Sequence, residues 1–398
     1  MHTIPEPDEQ LISWMRTIRR HIHQHPELAF QEFATAAYIA EKLRELDISF
    51  RMEVGRTGIA ASLGNENPGS PCIALRADMD ALPLNEETGL PFASLTPGIM
   101  HACGHDGHVA MLLGAAALLK KVQLPGRVVL LFQPAEEGDG GAKGMIDDGA
   151  LAGVSMIFSG HIDRNYETAE IVVQPGLICA YTDEFIIQLT GKGGHAAKPQ
   201  ETADPIVAAS QLVTSLQSII SREVHPCFPA VVTVGKIHGG SAANVIASRV
   251  VLEGTIRTTD PAVRKTCFAA LERMVGATRQ LHRIEAACTL IEGYPPVVND
   301  PLASSIAREA AAEIVGADKV REQPLPSLGG EDFSFFLQKV PGCMVRFGAR
   351  RPAQFDAPAH SPRFDFDEEV LATGAIFFAR TALRALLRSK EFIRPPMP

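Results

Sequence analysis

Segments with apolar residues at helical spacing alternate along this chain with short continuous apolar runs, and the alternation outlines an architecture. Leu11 to His25 is amphipathic with a basic side, and Pro26 ends it. Glu32 to Leu46 repeats apolar residues at helical spacing. Then come CIALRA (72–77), the helical pattern HVAMLLGAAALLKK (108–121), GRVVLLF (126–132) and SMIFSG (155–160). Continuous apolar runs between helices predict strands of a parallel sheet buried on both faces.

The texture changes near Gly176. From Glu184 to Glu292 the pattern predicts strand (EFIIQLTG), helix (Asp204 to Arg222), strand (AVVTVGKI), strand (RVVLEGTIRT), helix (Pro261 to His282) and strand (IEAACTLI). Asp204 is the candidate N-cap of the first helix and Pro205 its first residue, followed by apolar residues at 206, 209, 212, 213, 216, 219 and 220. This β-α-β-β-α-β order is ferredoxin-like and makes a unit of about 110 residues. YPPVVND punctuates the chain, and a helix, the strand CMVRFGA and a helix from Glu368 to Leu387 follow. The expected architecture is an α/β domain with a mixed, mainly parallel sheet, formed by residues 1–180 and 294–398. An α+β domain, residues 181–293, interrupts it.

Bulk properties only narrow the choice. A chain of 398 residues predicts two or three domains, and 46% hydrophobic with 21% charged residues is ordinary for a soluble globular protein. A net charge of −9 without a basic run argues against nucleic acid as a partner. No stretch approaches 18 uninterrupted apolar residues, so no membrane span is expected. The opening MHTIPEPDEQ lacks a basic segment followed by an apolar one, so no signal peptide is expected. Seven scattered cysteines without a CxxC pair make no disulfide framework, which points to a reducing cytoplasm.

The candidate chemistry gathers after apolar strands or at a helix start. Asp78 and Asp80 end IALRA, Glu136 and Glu137 follow VVLLFQPA, and His161 follows MIFSG. His101, Cys103, His105, Asp106 and His108 precede an apolar helix expected near Val109. Ligands of open parallel sheets bind outside the carboxyl ends of the strands, so these clusters should converge. The two-residue spacing of Cys103 and His105 suits a turning loop. Thiolate with imidazole favours zinc, and the carboxylates also accept manganese or cobalt. A lone Cys-x-His is more often a buried thiol beside capping histidines, but three histidines, a cysteine and an aspartate within 101–108 reverse that balance. Neighbouring side chains on an extended segment point oppositely, so one of Glu136 and Glu137 can bind metal while the other faces substrate. An isolated acidic pair before a glycine-rich loop is more often a solvated turn. His161 and His360, taken singly, are ordinary polar residues.

Eight stretches carry a resemblance that runs nearly end to end: RRHIHQHPEL (19–28), LRADMDALP (75–83), MHACGHDGH (100–108), QPAEEG (133–138), GKGGHAAKP (191–199), GYPPVVND (293–300), GGEDFSFF (329–336) and HSPRFDFDEE (360–369). The chain resembles the hippurate, auxin-conjugate (IAA-amino acid) and N-acyl-L-amino acid amidohydrolase branch of the metallopeptidases related to aminoacylase and glutamate carboxypeptidase. The resemblance implies two divalent metal ions per subunit, from among zinc, manganese, cobalt and nickel, held by Cys103, His105, Glu137, His161 and His360, with Cys103 bridging. It implies Glu136 as general base and Asp80 as the residue that orients a ligand. The inserted unit resembles that family's lid and dimerisation domain, which implies a homodimer. His195 resembles a lid histidine serving the partner's site, while Asn244 and Arg257 resemble anchors for the substrate carboxylate. On residues alone, His195 reads as an exposed loop residue and Arg257 equally as a charge on an open strand face. His101, His108 and Asp106 read as supporting or helix-capping residues, expected to fix the tautomer of His105. One departure stands out: IDRN follows His161 where a proline- or tryptophan-containing segment is expected, which puts the specificity of that pocket wall in doubt.

The activity implied is hydrolysis of a small N-acyl amino acid to a carboxylate and a free amino acid. A dipeptidase or carboxypeptidase on the same scaffold is the nearest rival, but no acidic partner for a free α-amino group is identified. A non-catalytic metal-stabilised binding protein is the other, and it would have no use for a base beside its ligands.

Overall fold

Every residue of the strand Cys72–Asp78 is buried, as a strand covered on both faces requires. It lies inside a sheet that has eight strands among the described residues, ordered Ser49–Val54, Gly58–Gly64, Arg127–Gln133, Cys72–Asp78, Met156–Asp163, Gly342–Gly348, Ile171–Val172 and Val320–Arg321. The central four, from Arg127–Gln133 to Gly342–Gly348, run parallel, and antiparallel pairs flank them. The computed structural model describes residues 3–65, 67, 69–138, 140–351 and 357–391.

Two helices dominate the packing on this sheet. His105–Lys120 is buried over all but its last residue, which explains a composition apolar all round rather than striped. Val370–Leu387 packs along it and also meets the central strands. This second helix is long and apolar enough to cross a membrane, but 72% of it is buried in the protein core. Glu9–Gln24 starts where the Asp8 side chain accepts the Leu11 N–H at 2.8 Å and buries its apolar stripe of Leu11, Met15, Ile18 and Ile22. These elements belong to one unit, comprising Met1–Ile178, Val297–Pro324 and Asp332–Pro398.

The other unit comprises Cys179–Pro296 with Leu325–Glu331. Its strands Tyr181–Thr190, Ala230–Gly239, Arg249–Thr258 and Glu285–Glu292 form one antiparallel sheet in which the first and third lie centrally. The helices Pro205–Ser218 and Pro261–His282 bury Leu212, Leu216, Leu271 and Val275 with Ile187, Leu252 and Ile256 of the sheet. Both helices open with an aspartate cap and a proline, Asp204 and Asp260 each accepting two backbone N–H groups. The ferredoxin-like order expected from the pattern is the order observed, and a π-turn at Ile219–Glu223 closes the first helix.

Candidate metal centre

The parallel register decides which side chains meet. Asp78 pairs with Gln133 across one strand boundary, and His161 pairs with Arg346 across another. Asp80, the Glu136–Glu137 pair and His161 therefore emerge at one edge of the sheet. His161 lies inside its strand, which continues to Asp163 rather than ending before it.

The helix of the MHACGHDGH segment begins at His105, four positions ahead of the expected Val109. Polar residues form this first turn because buried groups distant in sequence hold their side chains. Gly104 precedes it at φ 96°, a left-handed conformation that glycine adopts freely, and its backbone runs close to Ile162. Cys103 stays in the loop, so the Cys-x-His spacing spans a loop-to-helix junction. Glu136 and Glu137 do not lie on an extended segment: the strand ends at Gln133 and both occupy a turn. Their side chains diverge in burial for that reason, Glu136 being buried and Glu137 only half-buried. Ala135 beside them and His360 hold left-handed backbone without being glycine, at φ 53° and 64°.

Each histidine of the centre except His360 has its Nδ1 occupied. His105 Nδ1 faces the Asp80 carbonyl at 3.0 Å and an Asp80 carboxylate oxygen at 3.3 Å. His161 Nδ1 meets the Ile162 carbonyl at 2.7 Å, which leaves Nε2 its lone pair, 3.4 Å from Cys103 Sγ. His360 Nε2 lies 3.3 Å from Glu137 Oε1, and the His360 N–H donates to the Ala102 carbonyl at 2.8 Å. The donor atoms of Cys103, His105 and His161 fall within 4.8 Å of one another, as do those of Cys103, Glu137 and His360, and those of His105, Glu136 and Glu137. Cys103 is the one residue common to the first two groups, the position a bridging thiolate requires.

The arrangement fits cations by its own electrostatics. His105 Nε2 and Glu137 Oε1 are buried without a hydrogen-bond partner, 3.9 Å apart, an expensive condition unless something else satisfies them. The nearby Cys103 thiol and Glu137 carboxylate raise the His360 imidazole to about 10. Burial opposes charge on His105, yet Asp78, with Asp80 and Cys103, holds it well above the usual histidine range. Burial and the neighbouring His108 keep His161 neutral, as a metal ligand must be. Burial and the Glu137 carboxylate push the Cys103 thiol up. The centre draws positive charge toward a thiol and carboxylates, which is what divalent ions would supply.

The expected supporting residues His101, Asp106 and His108 are all buried. Asp106 caps nothing: its Oδ2 accepts from Arg19 Nε at 2.8 Å and lies 2.9 Å from His23 Nδ1. His101 is buried with neither ring nitrogen hydrogen-bonded to a described residue. His105 is oriented by Asp80 rather than by any of these three. Sequence reasoning gave no role to Arg76 and Asp332, which are buried and joined at 3.0 Å, Arg76 also reaching Asp78 at 2.7 Å and Gln133 at 2.7 Å. The available signal was an arginine inside an otherwise apolar strand.

In the other unit, His195 is exposed in a short strand paired with Val245–Ile246, and the Ala196 N–H donates to the Asn244 carbonyl at 3.1 Å. His195 and Asn244 are thus neighbours. Arg257 is half-buried on the sheet face opposite buried Ile256, and burial lowers its pKa against the pull of Glu184 and Asp183.

This fold and site define a metallopeptidase-type hydrolase. The model for "Peptidase family M20/M25/M40" matches residues 74–384. The chain is 43% identical over 391 residues to the N-acetyl-L-cysteine deacetylase of Bacillus subtilis (strain 168), covering 96% of this chain and 90% of that protein. It is 40% identical over 385 residues to IAA-amino acid hydrolase ILR1-like 4 of Arabidopsis thaliana, covering 95% and 87%. The crystal structure of the Bacillus subtilis YXEP protein, described as a dinuclear metal-binding peptidase from the M20 family, superposes with a TM-score of 0.82 at 35% identity, covering 96% and 99%. The chain belongs to peptidase family M20/M25/M40 and has the dinuclear metal-binding peptidase fold.

Proposed function

We propose that this protein hydrolyses the amide bond of small N-acyl amino acids, releasing a carboxylate and a free amino acid. The relatives named for deacetylation of N-acetyl-L-cysteine and for hydrolysis of IAA-amino acids support the reaction class. The observation that carries it is the pair of donor groups sharing Cys103, with the Glu136 carboxylate beside them.

Cys103, His105, Glu137, His161 and His360 would hold two divalent ions, and zinc, manganese, cobalt or nickel suits a donor set of thiolate, imidazole and carboxylate. Such a pair would supply a Lewis acid for the amide carbonyl and would lower the pKa of the attacking water. Glu136 takes a proton from the attacking water and delivers it to the leaving amine nitrogen. Asp80 fixes His105 through Nδ1 and fixes the Glu136–Glu137 turn through the Glu137 N–H. Arg257 is assigned to the substrate carboxylate, which a guanidinium fork matches bidentately, and Asn244 is assigned to the same group. His195 is assigned to the developing oxyanion, as a donor lent by a partner subunit in a homodimer formed through the inserted unit. A reduced Cys103 suits the cytoplasm, and all seven cysteines are free.

The test is hydrolysis of N-acetylmethionine and hippurate, with dipeptides as the control, before and after chelation. Turnover of the N-acyl acids that stops with chelator and returns with a divalent ion supports the reading. Turnover of dipeptides alone, or full activity in demonstrably metal-free protein, overturns it.

A further inference from the structure

His108 is buried beside the metal centre and shares a donor group with Asp78 and His105, yet both of its ring nitrogens are already engaged. Its Nδ1 lies 2.5 Å from Asp78 Oδ1, and its Nε2 accepts the backbone N–H of Ile162 at 2.8 Å. Both nitrogens are therefore spent, and the second bond settles the tautomer: a nitrogen that accepts from an N–H carries no proton, so the proton sits on Nδ1. Asp78 receives it, and Asp78 is itself held by Arg76 at 2.7 Å. Arg76 is anchored in turn on Gln133 and Asp332, and Asp332 also accepts the Ala142 N–H at 2.9 Å.

What this chain of bonds terminates on is the peptide unit next to His161. The Ile162 N–H is held by His108, while the Ile162 carbonyl receives Nδ1 of His161 at 2.7 Å. His108 and His161 grip one residue from its two ends, and their rings stand edge to face with centroids 4.7 Å apart. The side chain of Ile162 adds a steric lock, since a Cβ at Gly107, one residue before His108, would come within 2.6 Å of its Cδ1. A turn of the ring of His108 would release the strand exactly where His161 is aimed at Cys103.

We propose that His108 is a positioning residue dedicated to one half of the dinuclear centre, the half to which His161 contributes, through the relay Arg76–Asp78–His108–Ile162. The inference rests on the ligand assignment given above. His161 shares its donor group with Cys103 and His105, whereas His360 shares its group with Cys103 and Glu137. Loss of His108 therefore loosens one ion and spares the other. A side chain that mattered only for folding would weaken both.

The experiment titrates cobalt(II) alone into chelator-stripped protein and follows binding by calorimetry and by the thiolate-to-cobalt absorption. Wild type binds two equivalents. His108→Leu, which removes donor and acceptor together, keeps one equivalent near wild-type affinity and binds the second about 10–100-fold more weakly. His108→Gln, which retains one donor and one acceptor, recovers the second. In a His161→Ala background, His108→Leu changes nothing further. Unchanged binding of both ions in His108→Leu, or equal weakening of both, overturns the proposal. A wild type that binds fewer than two ions removes the dinuclear reading itself, and this proposal with it. One measurement needs no folded variant: nitrogen chemical shifts of histidine-labelled wild type must place the His108 proton on Nδ1, and a proton on Nε2 overturns the relay.

Discussion

One carboxylate oxygen of Asp80 accepts the backbone N–H of Glu137 at 2.9 Å, so a residue at the end of one strand fixes the turn that follows the next. Its other oxygen lies 3.3 Å from Nδ1 of His105. Two candidate ligands from different elements thus depend on one side chain. Asp80→Ala should lower metal affinity by about 10–100-fold and depress kcat with it, because supporting partners of ligands typically matter that much. Calorimetric metal titration beside steady-state kinetics checks this, and wild-type affinity in the variant would remove Asp80 from the role.

Glu136 and Glu137 are neighbours with separable duties. Glu136→Gln should cut kcat by roughly 10²–10⁴-fold with metal content nearly intact, since the side chain is assigned to proton transfer and not to coordination. Glu137→Gln should lose metal, because Glu137 Oε1 is the buried oxygen left without a hydrogen bond, 3.3 Å from His360. Elemental analysis of both variants decides the matter, and swapped outcomes would reverse the assignment within the pair.

The sequence announces some of this site and conceals the rest for physical reasons. The ferredoxin-like unit is legible because its helices carry their own start signals, Asp204–Pro205 and Asp260–Pro261, and its strands alternate. The hairpin of Ser49–Val54 and Gly58–Gly64 escapes notice because its first strand is mostly exposed and holds Arg51 and Glu53. The helix start at His105 is missed because Asp106 and His108 look like loop residues until Arg19, His23 and Asp78 are seen to hold them. Ligand identity is local information, and ligand support comes from residues up to several hundred positions away.

Arg19 shows how costly that support is to disturb. Fully buried, it reaches Asp106 at 2.8 Å, Asp365 at 2.7 Å and Glu368 at 3.2 Å, between the rings of Phe92 and Phe366. Arg19→Met preserves bulk but strands buried carboxylates, and should destabilise the fold by about 3–5 kcal/mol in urea unfolding. Burial works against ionisation of Asp106, but Arg19 and His23 hold its carboxyl far below the usual range. A depressed carboxyl contributes stability above its unfolded pKa of about 3.9 and loses it as pH falls further. Wild type should therefore shed stability below about pH 4, and Arg19→Met should show a shallower acid limb. An unchanged acid limb would mean that Asp106 is not held this way.

Gly141 tests the turn of Glu136 and Glu137 from the backbone side. A Cβ there would lie 1.9 Å from the Pro134 carbonyl oxygen, an atom of the main chain that cannot swing aside. Gly141→Ala should cost about 1–3 kcal/mol or more and displace the turn, lowering both melting temperature and metal content. A variant with wild-type melting and loading would show that the turn tolerates more movement than this contact allows.

The last prediction concerns His195. If it completes the site of a partner subunit, the active protein is an isologous dimer in which each chain lends the group to the other. His195→Ala and Glu136→Gln homodimers should then each be nearly inactive, because every site lacks one group. Refolding the two variants together in equal amounts makes about half of the dimers mixed, by random pairing. In each mixed dimer one site draws Glu136 from one chain and His195 from the other, while its twin has neither. Activity should recover to about a quarter of wild type, since one site in two is intact in about half of the dimers. If His195 instead served its own chain, every site in the mixture would still lack a group and nothing would return. Native mass spectrometry verifies that mixed dimers are present, and their presence without recovery excludes sharing between subunits.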